Sequence, residues 1–142
     1  MALRLPVGEV TVLLGPAAAR RDVLAQLDDG SGRCASGHDA VGVLRLAVPA
    51  GHGLASRLAV LTAAGTSRAS IVLVDRLTTG LTTADRRTVL GRLPALAAGG
   101  RAVLVDDDDP VAALAVADAA LRVDPTGGLV PVTVRDPDYL AS

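Results

Sequence analysis

Short apolar runs punctuate the chain at intervals that leave room for helices between them. Val10-Thr-Val-Leu-Leu14 is β-branched and apolar, and Gly15-Pro16 closes it, the pattern of a buried strand feeding a turn. A helix is predicted from Ala19 to Leu27: Val23, Leu24 and Leu27 share one face, and Asp28-Asp29-Gly30-Ser31-Gly32 stops it. After a loop-like stretch from Gly30 to Asp39, Val41-Gly-Val-Leu44 reads as a second strand. Pro49-Ala-Gly-His-Gly53 then leads into an Ala/Leu-rich helix over Ala55 to Ala64 and the loop Gly65-Thr-Ser67.

The second half is more regular. Ile71-Val-Leu-Val74 is a strand ending at Asp75, and Thr82 or Thr83 caps a helix running to Ala98 with Val89, Leu90, Leu93 and Leu96 as its apolar stripe. Gly99-Gly100 ends that helix, and Ala102-Val-Leu-Val105 gives another strand running into Asp106-Asp-Asp-Asp109. Asp109-Pro110 carries the cap and first-turn signature of a helix over Val111 to Ala117. Ala120-Leu-Arg-Val123, the turn Thr126-Gly-Gly128 and Leu129 to Val134 predict a strand, a turn and a closing strand. Strands alternating with helices indicate an α/β domain with a mainly parallel sheet, whose ligand sites lie beyond the carboxyl ends of the strands. Gly15–Asp22, Asp75-Arg76 and Asp106–Asp109 all fall at that edge.

Length and composition narrow the picture. The 142 residues suit one compact domain spanning 1–142, which buries roughly 68–70% of the unfolded surface without needing disulfides or a structural metal. There is no Phe and no Trp, and Tyr139 is the one Tyr, so packing rests on small aliphatic groups. All 14 basic residues are Arg, which excludes Schiff-base chemistry and a phosphate-binding lysine. Glu9 is the only Glu, and the bias towards Ala, Arg, Gly, Asp and Val suggests a high-GC bacterial gene. A net charge of −1 with both signs interspersed offers no basic face for nucleic acid. Cys34 stands alone, which fits a reducing cytoplasm and rules out a cysteine-ligated zinc. No segment reaches the ~20 apolar residues of a spanning helix, so no direct membrane insertion is expected. His38 and His52 lie in Gly-flanked loops and read as surface residues, and Ser31, Ser36, Ser56, Ser67 and Ser70 lack a nucleophile-elbow setting.

With these segments placed, the chain resembles the ATP-binding cassette (ABC) ATPase of ABC transporters. Asp75-Arg-Leu-Thr-Thr-Gly-Leu-Thr82 lies without gaps on that family's Walker B and D-loop pattern, D-E-P-T-x-G-L-D, and Gly8-Glu-Val-Thr-Val-Leu-Leu-Gly-Pro16 is similar to its approach to the phosphate loop. Gly100 to Asp107 and Ala117-Asp118 resemble the H-loop strand and the segment after it, and Arg57 to Ala64 resembles the helix following the signature motif. The resemblance implies a three-layer domain of the P-loop NTPase type.

The functional positions depart from the family pattern. Against a phosphate loop G-x-x-x-x-G-K-S/T, Gly15 keeps the first glycine, while Arg20 stands on the second, Arg21 on the lysine and Asp22 on the hydroxyl residue. Arg20 obstructs the close approach that glycine permits, Arg21 could meet phosphate as a planar fork but is longer than a lysine and not interchangeable with its point charge, and Asp22 places a carboxylate where an anion would bind. Asp75 matches the magnesium-side aspartate, but Arg76 replaces the glutamate that polarises water. The switch histidine becomes Asp107, or Asp108 with a one-residue slip, and the signature falls on Ala50-Gly-His-Gly-Leu54, retaining Gly53. Only 28 residues separate Arg21 from Ala50, so the helical lobe is expected to be missing or vestigial.

The resemblance therefore implies a truncated, degenerate ABC-type domain without ATP hydrolysis. It would act in the cytoplasm as a binding or regulatory subunit beside a transporter subunit or an intact ATPase, reaching the membrane only through that partner. Arg20, Arg21 and Arg76 are expected to ion-pair with Asp75 and members of Asp106–Asp108, standing in for the charges of Mg-ATP, so that no cofactor is required. The alternative is an unconventional P-loop ATPase that binds ATP through Arg21 and magnesium through Asp75. The Asp106–Asp109 run admits two uses, cation binding together with Asp75 or ion pairing with arginines while Asp109 caps a helix.

Overall fold

A computed structural model describes residues 5–28, 42–47, 53–126 and 128–132. Cys34, His38, His52, Tyr139 and most of the signature-like stretch lie outside the described residues. In chain order the elements are β1 (Val10–Leu14), α1 (Ala17–Asp28), β2 (Val43–Leu46), α2 (Leu54–Gly65), β3 (Ile71–Asp75), α3 (Thr83–Leu90), α4 (Leu93–Ala98), β4 (Ala102–Asp106), α5 (Pro110–Leu114), β5 (Ala119–Val123) and β6 (Leu129–Val132). The strands form one sheet in the order β2-β3-β4-β1-β5-β6, parallel throughout except for the antiparallel β5–β6 hairpin.

Alternation along the strands divides the core between two faces. Val10, Val12, Val72, Val74, Val103 and Val105 point to one side, where Leu61, Val89, Leu90, Leu93 and Leu114 of α2 to α5 cover them. Leu13, Leu73 and Leu104 point to the other side, where Val23 and Leu24 of α1 close the layer. The central strands are thus buried on both faces, which is why they read in sequence as continuous apolar runs.

Besides shifts of a residue or two at other element ends, three differences from the sequence expectation stand out. The single helix predicted to run from Thr82 or Thr83 to Ala98 is two helices. Pro94 has no N–H, and in a continuous helix its ring would meet the carbonyl of Leu90; Gly91 further weakens the turn. The chain instead turns at Gly91-Arg92, and Pro94 sits in the first turn of α4, where it is tolerated. The helix predicted over Val111 to Ala117 is shorter, Pro110–Leu114, because Asp118 is drawn to the sheet. Its N–H donates to Val10 O at 2.8 Å and its carboxylate accepts from Val10 N–H at 2.9 Å. Finally, β2 extends to Leu46 rather than ending at Leu44, in register with β3 from Val43↔Ile71 to Leu46↔Val74. That extension carries Arg45 towards the carboxyl edge. The closing strand is described as far as Val132; residues 133 and 134 lie outside the described range.

Candidate functional site

The chain leaves β1 through α1 towards β2 on one side of the sheet, and leaves β4 through α5 to β5 on the other. This divergence makes the carboxyl end of the neighbouring pair β1 and β4 a topological switch point, the place where open α/β sheets form a crevice. Asp106 ends β4 there, and Asp75 ends β3 beside it, paired in register. Alternation places both aspartates on the α1 side, in line with Leu73 and Leu104.

Arginines fill this edge. Arg20 Nη1 of α1 donates to Asp106 Oδ1 at 2.5 Å and to Asp107 O at 2.9 Å. Asp75 accepts on both oxygens: Oδ2 from Arg45 Nε at 2.9 Å, with a second bond from Arg45 Nη2, and Oδ1 from Arg76 Nε at 3.0 Å. Asp107, 1% exposed, accepts from Thr78 Oγ1 at 2.7 Å and from Asp109 N–H at 2.9 Å. Arg86 Nε donates to Thr78 Oγ1 at 2.9 Å and lies 3.7 Å from Asp107 Oδ1; its Nη1 is 3.7 Å from Asp109 Oδ2. On the outer side Thr79 Oγ1 donates to Asp108 Oδ2 at 2.7 Å. Asp109 caps α5 by accepting from Ala112 N–H at 3.1 Å.

The buried carboxylates are in different electrostatic states. Burial pushes the Asp75 carboxyl up, but the hydrogen bonds and charges of Arg45 and Arg76 more than reverse this and hold it below the usual 3.8. For Asp106 burial dominates: it raises the carboxyl above 3.8 despite Arg20, and the nearby Asp75 adds to the rise. Burial likewise raises Asp107, outweighing the Thr78 hydroxyl, the Asp109 N–H and Arg86.

The positions singled out in the sequence are only partly assembled here. Arg20, Asp75, Arg76 and Asp107 meet at the edge. Arg21 and Asp22 do not: Arg21 is exposed on α1 and makes no ion pair with a described residue, and Asp22 lines a groove with Val23, Val123 and Asp124. Gly15 has a structural duty. Its φ is +119°, and a Cβ there would stand 2.9 Å from Val123 O, so only glycine lets β1 turn this close to β5. Arg45, Arg86 and Thr78 were not foreseen. Arg45 left a trace in the sequence, a charge interrupting the apolar run Val43-Leu-Arg-Leu46, and Thr78 left one as the threonine of the Walker B-like stretch; Arg86 left none, because its role depends on tertiary placement.

A magnesium–triphosphate pair asks for a turn of inward-pointing N–H groups and for carboxylate oxygens open to the metal. Here the turn between β1 and α1 is Gly15-Pro16 alone, the Arg20 N–H is spent on Pro16 O at 3.0 Å, and Asp75 meets a guanidinium on each oxygen. The residues as arranged do not fit that pair. Among the described residues, no group of three or more His, Cys, Asp or Glu is placed to hold a metal ion.

No protein-family model matches the chain, and no curated protein matches its sequence. Solved structures do. A chain from a transporter described as metal-chelate-type ABC, in an inward-facing conformation, aligns over 92% of this chain and 74% of its own, with a TM-score of 0.56 and 15% identity. An ATP-binding subunit of an ABC transporter aligns over 89% and 79%, with a TM-score of 0.55 and 13% identity. The chain has an ABC-ATPase-like fold. Such identities speak for shared architecture alone. Within the described residues, no helix is long and apolar enough to cross a membrane.

Proposed function

We propose that this ABC-ATPase-like domain is a subunit without ATP hydrolysis, whose nucleotide crevice is held shut by its own ion pairs and which works by binding a partner. The observation that carries the reading is Asp75. The residue whose place in the fold would serve magnesium has guanidinium groups on both oxygens, one from Arg45 and one from Arg76. Arg20 occupies the neighbouring space by pairing with Asp106. Arg76 also stands where a water-polarising carboxylate would be needed, so the edge lacks a general base at that point. The partner in this reading is a transporter subunit or an intact ATPase subunit, because both solved neighbours carry ABC-transporter names.

Titration calorimetry with Mg-ATP tests the closed crevice: no binding heat is expected at millimolar nucleotide. One observation favours a second reading, an unconventional ATPase: Arg21 is exposed on α1 and makes no ion pair with a described residue, so it is available to a phosphate. Saturable Mg-ATP binding that disappears in Arg21→Ala would establish that reading in place of the first.

A further inference from the structure

We infer that Arg57 tethers α2 to the ion-paired edge, so that the position of this helix governs whether the edge stays closed. The functional meaning of the tether rests on the closed-crevice reading; its physical basis does not. Arg57 lies in the first turn of α2 and is 3% exposed. Its Nη1 donates to two main-chain carbonyls of another element's approach, Leu77 O at 2.8 Å and Thr79 O at 2.7 Å.

Those carbonyls belong to the segment from Arg76 to Leu81, between β3 and α3. Its own main-chain bonds are few: Arg76 N–H to Asp106 O at 2.8 Å, Thr79 N–H to Arg76 O at 3.3 Å and Leu81 N–H to Thr78 O at 3.0 Å. Arg76, its first residue, has φ +49°, a left-handed conformation that an arginine adopts only when its surroundings impose it. The segment is therefore held from two sides. The Arg57 guanidinium grips the carbonyls of residues 77 and 79 from α2, while the hydroxyls of residues 78 and 79 bond Asp107 and Asp108 beyond β4.

The choice of arginine follows from this geometry. A single guanidinium nitrogen, Nη1, reaches both carbonyls while the stem stays buried, whereas a lysine side chain is one atom shorter and carries a more strongly hydrated charge, so its nitrogen stops short of that buried position. A shift of α2 would pull directly on residues 77 and 79. It would loosen the Thr78–Asp107–Arg86 contacts and free Arg76 from its imposed backbone, and with it one of the two guanidinium groups on Asp75. Arg57 is in this sense a positioning residue that acts through the 76–81 segment.

Amide hydrogen exchange by NMR on the full chain carrying Arg57→Lys provides the test. The amides of Thr79 and Leu81 should exchange about tenfold or more faster, and the Arg86 Nε–H resonance should shift, while amides of β1 and β4 keep their protection within about twofold. Unchanged protection at residues 79 and 81 would overturn the inference, and so would an equal rise in segment and sheet, since that marks a general stability loss. Should the variant not fold, the wild-type chain decides. Its Arg57 guanidinium protons and the Thr79 and Leu81 amides should share one opening equilibrium, with protection agreeing within about threefold. Guanidinium exchange as fast as that of an exposed arginine overturns the tether. Mg-ATP binding to the wild type would sink the closed-crevice reading while leaving these exchange results to stand or fall by themselves.

Discussion

Asp75, Asp106 and Asp107 are all nearly excluded from water, and burial raises each of them; only at Asp75 do the hydrogen bonds and charges of two arginines outweigh it, so Asp75 shifts down while Asp106 and Asp107 shift up. The consequence for stability follows from linkage. Asp107 has a folded-state pKa above its ordinary 3.8, so the folded chain binds this proton more tightly than the unfolded one. The resulting stabilisation is complete below 3.8 and is lost as pH rises through the raised value. Lowering the pH from about 7 to about 4 should therefore stabilise the wild type relative to Asp107→Asn, read as urea midpoints; a midpoint difference that ignores pH would contradict the assignment. Asp75 has the reverse sign. Its contribution is present above 3.8 and lost only as pH falls through the lowered value, so the penalty of Asp75→Asn should stay flat over the same window. Among the ion pairs of the described residues, Arg20–Asp106 is the most enclosed, at 12% and 2% side-chain exposure. Arg20→Met leaves a buried carboxylate uncompensated and should cost about 3 kcal/mol, while Arg45→Met, which removes a 40% exposed arginine, should cost about 1 kcal/mol or less.

The helices and turns that present these residues obey local rules that can be broken singly. Thr82 caps α3 by accepting from Asp85 N–H at 3.1 Å, so Thr82→Ala should cost about 1 kcal/mol in thermal or urea unfolding. The left-handed backbone at Arg76 offers a sharper comparison. Both Arg76→Ala and Arg76→Gly lose the bond to Asp75, but glycine also relieves the backbone, so the glycine variant should be the more stable by about 1 kcal/mol. Equal stabilities would mean that residue 76 does not hold this conformation in solution. Much at this scale was legible in the sequence: the caps at Thr82 and Asp109, the turn at Gly15-Pro16 and the stop at Gly99-Gly100 each depend on neighbours within a few residues. The division of one predicted helix into α3 and α4 was legible too, in Pro94, but the apolar spacing of Val89, Leu90, Leu93 and Leu96 continues across the break. Both helices present those side chains to the same sheet face, so the stripe carries no sign of the interruption.

At the scale of the whole molecule, the edge chemistry depends on the strand order. Asp75 and Asp106 become neighbours only because β3 and β4 pair, and Arg20 reaches Asp106 only because β4 lies beside β1. If Arg20–Asp106 serves closure more than stability, its replacement by a packed apolar pair should recover most of what Arg20→Met alone loses. Arg20→Met with Asp106→Leu should return to within about 1 kcal/mol of wild type, since well-packed apolar residues commonly match a buried ion pair in stability. A double variant no more stable than the single one would show that the pair is needed for the fold. By itself, the sequence determined the class of fold, the placement of most strands and helices, and the concentration of acidic and basic groups at one sheet edge. All of these follow from hydrophobic periodicity and short-range stop signals. Which arginine meets which aspartate was decided by the tertiary structure alone. Arg45 and Arg86 entered the cluster and Arg21 stayed out because register, strand order and helix rotation set distances between residues far apart in the chain, and long-range ion pairs have no spacing rule in sequence.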